Sequence, residues 1–279
     1  MKTIRILILF SCYTFNLLGQ HEQFVFEHIT QKDGLSQSSV YAIFQDKQGF
    51  MWFGTRDGLN RYDGYRFKIF QHKIIDSLSL RSNEVHVIVD DTIGNLWIGT
   101  TGGGLNIFDP VHELFYKAAA DQLITTTHNM VNSIFRDSKG NMWIGTKNGL
   151  YQASADRDFY RTFKIRVKEI SEIIDDKSYK GIIVRNIAET RHHNLLLASD
   201  HGMLCYNPKT KTIKLLDTPN SQNLIFTTTF QENDSTFWFG LFDYGVMRIV
   251  FKGNEEGYII SSETFNTDLK GYKALSIHL

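Results

Sequence analysis

Acid–base, metal and nucleophilic chemistry each need particular side chains held together, and this sequence offers few in a usable pattern. Three aspartates recur at matching places, Asp46, Asp91 and Asp137, and a pair of carboxylates on converging loops is what hydrolysis or elimination would require. Each stands three residues before a glycine, as in Asp137-Ser138-Lys139-Gly140. An active site is unique, whereas these aspartates repeat, so the reading is a turn role in every copy. The 10 histidines are scattered. His192-His193 is the one adjacent pair, and neighbours on a strand point to opposite faces. His28, His72, His86, His112, His128 and His201 read as surface or packing residues. Cys12 and Cys205 form no CxxC or Cys/His cluster. The expectation is therefore no catalytic residue, no metal and no cofactor.

Lys+Arg and Asp+Glu both number 30, and this balance argues against a protein that grips phosphate backbones, which needs a basic face. The run Arg161 to Lys168 alternates basic and apolar residues, as the solvated face of an outer strand does, so no nucleic-acid partner is expected. At the start, Lys2 and Arg5 precede an apolar stretch from Ile6 to Leu18, interrupted by Ser11, Cys12 and Asn16. That is the pattern of a signal peptide over 1–20, too short and broken for a membrane span. Its removal leaves Cys205 alone and the exported portion without an internal disulfide.

The elements that must position any site are repeats. Val40, Val85, Val131, Val184 and Phe226 each stand twelve residues before Trp52, Trp97, Trp143, Leu196 and Trp238. Every tryptophan of the chain falls on that register. Two residues later come Gly54, Gly99, Gly145, Ala198 and Gly240. Copies recur at the spacing of propeller blades. Within the first copy, Val40 to Gln45 reads as a strand, Asp46 to Gly49 as a turn with left-handed glycine, and Phe50 to Thr55 as a second strand. Arg56-Asp57-Gly58 turns into a third strand, Leu59 to Tyr62. Asp63-Gly64 is a hairpin signal leading to the fourth, Tyr65 to Phe70.

The predicted fold class is thus all-β: a β-propeller of four-stranded antiparallel blades. Repeat cores lie at 40–70, 85–117, 131–165, 184–216 and 226–251 within a propeller region spanning 21–279. Ala274 to Ile277 reads as the opening strand of a sixth blade over 272–279, so an incomplete seven-bladed propeller is expected. Each tryptophan should fill the wedge between neighbouring blades, its indole N–H finding a partner, and each following glycine should admit a close neighbour.

Residues 27–70 carry Asp33-Gly34-Leu35-Ser36, Trp52-Phe53-Gly54-Thr55 and Gly58-Leu59-Asn60-Arg61-Tyr62-Asp63-Gly64, and together these resemble the two-component regulator propeller family. The resemblance extends over nearly the whole exported portion and weakens in the fourth copy, where Leu196 replaces tryptophan and Arg191-His192-His193-Asn194 replaces the turn. It implies a periplasmic ligand-sensing region of a hybrid histidine kinase, with oligosaccharide or another small periplasmic ligand as partner, glycan utilisation as the regulated process and homodimerisation through propeller contacts. The sequence itself contains no kinase module. The alternatives are a free-standing exported scaffold for protein partners and, third, a propeller hydrolase or lyase.

If the first strand of each copy is innermost, the second-to-third turns and the crossings between blades share one face. That face would display Arg56, Asp57, Asn83, Thr101, Asn129, Lys147, Asp200, Asp243 and Tyr244, the expected ligand-binding candidates, on a frame kept constant by the tryptophans and glycines.

Overall fold

The computed structural model describes residues 27–117, 130–155, 165–170, 181–216, 224–243, 245–251 and 259–265. The signal-peptide segment 1–20, the sixth-blade segment 272–279, Asn129 and Tyr244 lie outside the described residues.

Five sheets follow one another, each of four antiparallel strands paired in chain order. The first holds β1 (Val40–Gln45), β2 (Met51–Thr55), β3 (Gly58–Tyr62) and β4 (Phe67–Phe70). The second holds β5 (Val85–Asp90), β6 (Leu96–Thr100), β7 (Gly104–Asp109) and β8 (Leu114–Lys117). Next come β9 (Val131–Arg136), β10 (Met142–Thr146), β11 (Gly149–Ala155) and β12 (Ile165–Glu169). The fourth sheet is β13 (Val184–Glu189), β14 (Leu195–Ser199), β15 (Gly202–Asn207) and β16 (Thr212–Leu215). The fifth is β17 (Phe226–Gln231), β18 (Thr236–Leu241), β19 (Gly245–Phe251) and β20 (Ile259–Phe265). The outer strands of the third and fifth blades begin later than the repeat cores 131–165 and 226–251 suggest.

Adjacent blades touch through β1, β5, β9, β13 and β17 in sequence, so the first strand of each copy is innermost and lines the axis of a propeller. Apolar side chains fill the wedges between sheets. Trp52 shares a cluster with Val85, Ile88, Leu96 and Ile98 of the second blade. Trp97 packs with Val131, Ile134 and Ile144 of the third, and Trp143 with Val184, Ile187 and Leu195 of the fourth. These three indoles are at most 1% exposed. Burying so large a ring is the dominant apolar contribution at each junction. Leu196, Ala198 and Cys205 fill the fourth wedge beside Phe226, Phe237 and Phe239. Trp238, facing away from the fourth blade, is only partly buried and lies 5.4 Å from the Phe265 ring.

The glycine after each tryptophan is a slot. A methyl group built on Gly99 would stand 2.6 Å from Val131 Cγ1 of the next blade, and closer still to Val87. Gly54 meets Val85 Cγ1 at 2.7 Å and Gly145 meets Val184 Cγ1 at 2.8 Å in the same way. Only glycine lets the first residue of the following blade seat against β2, β6 and β10.

Each indole N–H has a built-in acceptor. Trp52 Nε1 donates to Asp46 Oδ2 at 2.7 Å, Trp97 to Asp91 at 3.2 Å and Trp143 to Asp137 at 2.8 Å. The other oxygen of each aspartate accepts two backbone N–H groups of its own turn, as Asp137 does from Lys139 and Asn141. Gly49, Gly94 and Gly140 close these turns at φ 90°, 99° and 82°, the left-handed region that favours glycine. The repeated aspartates are turn staples, as their recurrence suggests.

Candidate functional site

In every blade the innermost strand carries an irregularity at one register. Val40 pairs with Thr55 and Ala42 with Gly54, leaving Tyr41 as the extra residue of a bulge. The same shift isolates His86, Asn132, Arg185 and Thr227. A bulge disrupts the ladder and re-aims the side chain it carries. Here the bulges stand at the end of the innermost strands nearest the second-to-third turns, around one mouth of the axial channel. Five equivalent positions thus bear an aromatic ring, an imidazole, an amide, a guanidinium and a hydroxyl.

Contacts link these residues across blades. The Tyr41 and His86 rings stack with centroids 4.5 Å apart and planes within 10°, while 43% of Tyr41 stays exposed. His86 Nε2 lies 3.2 Å from Glu84 Oε1. Asn132 Nδ2 donates to the Val184 carbonyl at 3.0 Å, beside Arg185. Among the described residues, three buried side-chain polar atoms lack a hydrogen-bond partner: Thr101 Oγ1, Ser133 Oγ and Arg185 Nε. Arg185 is itself a bulge residue and Ser133 follows one, while Thr101 opens the second-to-third turn of its blade. All three belong to the bulge end of their blades. Leaving such groups unpaired costs free energy.

The turn residues named from sequence fare differently. Asp57 and Asn83 come together, but with each other: Asn83 Nδ2 donates to Asp57 Oδ1 at 3.0 Å. Asn83 Oδ1 also accepts from His72 N at 2.7 Å, so the pair clasps the first blade to the second. Asp200 accepts the Ile183 amide at 3.0 Å and lies 2.9 Å from His201 Nδ1, a similar local brace. The Thr101 amide donates to Glu84 O at 2.9 Å. Arg56 and Lys147 are exposed, their amides bonded to Ser39 O and Met130 O. Asp243 adopts φ 66° in its turn. The buried hydroxyls of Thr55, Thr100, Thr146 and Ser199 accept no such variety: each donates to the glycine carbonyl across the turn. The bulge residues escaped sequence reasoning, which followed turns. The available signal was that the residue after Val40, Val85, Val131, Val184 and Phe226 differs in every copy.

Among the described residues, one arrangement with a catalytic look lies on the opposite face. Ser138 Oγ lies 2.9 Å from His193 Nδ1, and Glu189 Oε1 lies 2.8 Å from the same nitrogen. A nucleophile and an orienting carboxylate must use opposite ring nitrogens to relay a proton. Ser138 also donates its backbone N–H and hydroxyl to Glu189 at 2.7 and 2.8 Å, so the cluster clasps the third blade to the fourth. Among the described residues no group of three or more His, Cys, Asp or Glu side chains is placed to hold a metal ion.

Comparison with known proteins agrees with the fold and repeats. The model of the "Two component regulator propeller" family matches residues 34–57, 79–102 and 127–148. Over 73 residues the chain is 53% identical to "Histidine kinase P4" of Formosa agariphila, an alignment covering 26% of this chain and 5% of that relative. The extracellular domain of a hybrid two component system protein from B. thetaiotaomicron superposes with a TM-score of 0.66 at 23% identity, over 88% of this chain and 32% of that one. A virginiamycin B lyase from Staphylococcus aureus superposes at 0.61 with 12% identity, covering 91% and 78%. Both likenesses are of fold. The chain spans about a third of the solved receptor domain and a small part of the curated kinase. Repeats located by their own tryptophans and glycines coincide with the three matched segments, and over those segments the chain is similar to the two component regulator propeller family.

Proposed function

We propose that this chain is an extracytoplasmic sensing propeller of a two-component signalling protein and that it binds oligosaccharide at the bulge-lined channel mouth. The observation that carries the reading is the five-fold bulge: one fixed backbone device presenting five different side chains. A constant frame with a varied display is how a rigid scaffold carries a binding surface. The exposed ring of Tyr41, braced by His86, suits the apolar face of a sugar, and Asn132, Arg185 and Thr227 suit its hydroxyls. Arg56 and Lys147 on the neighbouring turns form the rim, with Asp200 and Asp243 nearby as further polar contacts.

Export is supported by Lys2, Arg5 and the apolar stretch after them, and by relatives described as extracellular domains. The periplasm is accordingly the proposed location, and contact between two propellers the proposed route by which ligand occupancy is passed on. Histidine kinase activity is a property of the much longer curated relative.

Titration calorimetry of the chain with neutral and acidic oligosaccharides tests the proposal. Binding by at least one of them is expected, with Tyr41→Ala weakening it about tenfold or more at unchanged melting temperature, as removal of a central aromatic contact does. Heat from none of them, or turnover of one, would overturn it.

A further inference from the structure

Among the described residues, the Arg185 guanidinium is a partly buried charge of the channel mouth with no ion pair. Its Nε is buried without a hydrogen-bond partner. Three other arginines are paired with acids: Arg61 lies 3.2 Å from Glu113, Arg136 3.2 Å from Asp90 and Arg248 3.3 Å from Glu232. The carboxylates on the same face already have partners. Asp57 is held by Asn83, Asp200 by His201 and the Ile183 amide, and Glu84 by His86. A half-buried guanidinium that no acid among the described residues neutralises is costly to keep, unless a ligand supplies the acceptor. Its planar donors match a two-oxygen anion better than a hydroxyl.

Resting on the reading of the mouth as a sugar site, we infer that Arg185 receives a carboxylate or sulfate oxyanion of the ligand, so that the chain prefers acidic oligosaccharides to neutral ones. Asn132 is the next-blade neighbour that fixes the position. Its amide holds the Val184 carbonyl at 3.0 Å, which pins the backbone immediately before the bulge. His86 and Tyr41, two and three blades further round, offer the stacking surface for the uncharged part of the same ligand.

Calorimetry with three probes separates the possibilities: an oligogalacturonate, a sulfated oligosaccharide of similar length, and neutral cello-oligosaccharide. The expected result is that a charged probe binds at least about tenfold tighter than the neutral one, with an affinity that falls as salt rises. Arg185→Gln should then erase that preference, bringing the charged probe down to the affinity of the neutral one, with melting temperature as it was. Arg185→Lys, which keeps the charge but not the fork, should restore part of it. Whether carboxylate or sulfate binds better identifies the anion. Equal affinities for charged and neutral probes, all weakened by Tyr41→Ala and indifferent to Arg185→Gln, would overturn this inference and leave the sugar-binding reading standing. Binding by no probe would overturn both.

Discussion

Trp143 and Asp137 stand six residues apart and join through a 2.8 Å hydrogen bond from indole to carboxylate, both side chains buried. The fourth blade lacks both partners at once. Leu196 occupies the tryptophan position and Thr190 the aspartate position, its hydroxyl accepting the Asn194 amide at 3.2 Å. In the fifth blade Glu232 serves instead, accepting from Trp238 Nε1 at 2.6 Å. Indole and acid therefore come and go together within one chain, as a buried donor and its acceptor must.

That pairing predicts a coupling energy. Asp137→Thr alone strands the Trp143 N–H, and Trp143→Leu alone leaves a wedge underfilled, whereas the double substitution copies the fourth blade. Urea unfolding of the two single variants and the double should reveal a coupling of about 1.5–3 kcal/mol, the range for hydrogen bonds to charged groups. Strict additivity would mean that the bond contributes nothing.

Trp97→Ala removes the largest side chain of its wedge, 1% exposed, and should cost about 3–5 kcal/mol. A loss below about 1 kcal/mol in chemical denaturation would contradict its place in the core.

Gly99→Ala should destabilise by about 1–3 kcal/mol, the usual cost of overpacking, because the added methyl meets Val87 and Val131. Combining it with Val131→Ala should recover part of the loss. Gly94→Ala offers the contrast: at φ 99° with nothing within 4 Å, its cost is backbone strain and no neighbour's substitution should relieve it.

Burial lifts the Cys205 thiol to about 11, so the thiolate is scarce at ordinary pH. Iodoacetamide should leave Cys205 of the folded chain unmodified at pH 8 and label it quickly in urea. Equal labelling rates in both would show that the fourth wedge is open.

The Trp238 indole, helped by Arg248, holds the Glu232 carboxyl below its ordinary value of 4.5. A folded-state value below the unfolded one gives stability that is fully present above about 4.5 and is lost as pH falls through the depressed value. Glu232→Gln should therefore flatten the acid side of the stability profile and leave the profile near neutrality parallel to the parent. An unchanged acid limb would dismiss the link.

The frame was legible in the sequence because it repeats in kind. Tryptophan at one register, glycine two places on and an Asp-x-x-Gly turn recur where identical physical demands recur. The partner of each indole was less plain, since Trp52 and Asp46 stand six positions apart across a turn and only the folded hairpin brings them to 2.7 Å. Tyr41, His86, Asn132, Arg185 and Thr227 were hidden for the opposite reason. A bulge is a property of pairing between two strands and leaves no residue type behind, so their common position shows only once the ladder is seen. Asp57 and Asn83 looked available as turn residues and turned out to hold each other, because strand starts and turns of neighbouring blades meet at that face.

The slot-and-key junctions have a bearing on ancestry. Gly54, Gly99 and Gly145 each receive a valine from the following copy, so donor and recipient halves of the joint are interchangeable among the first three junctions. A duplicated or transplanted copy arrives already cut to fit, which gives such a ring an easy route to grow by recombination. The fourth junction, with Ala198 and Phe226 in one cluster, is machined differently, and a chimaera spliced there would have to carry both halves across together.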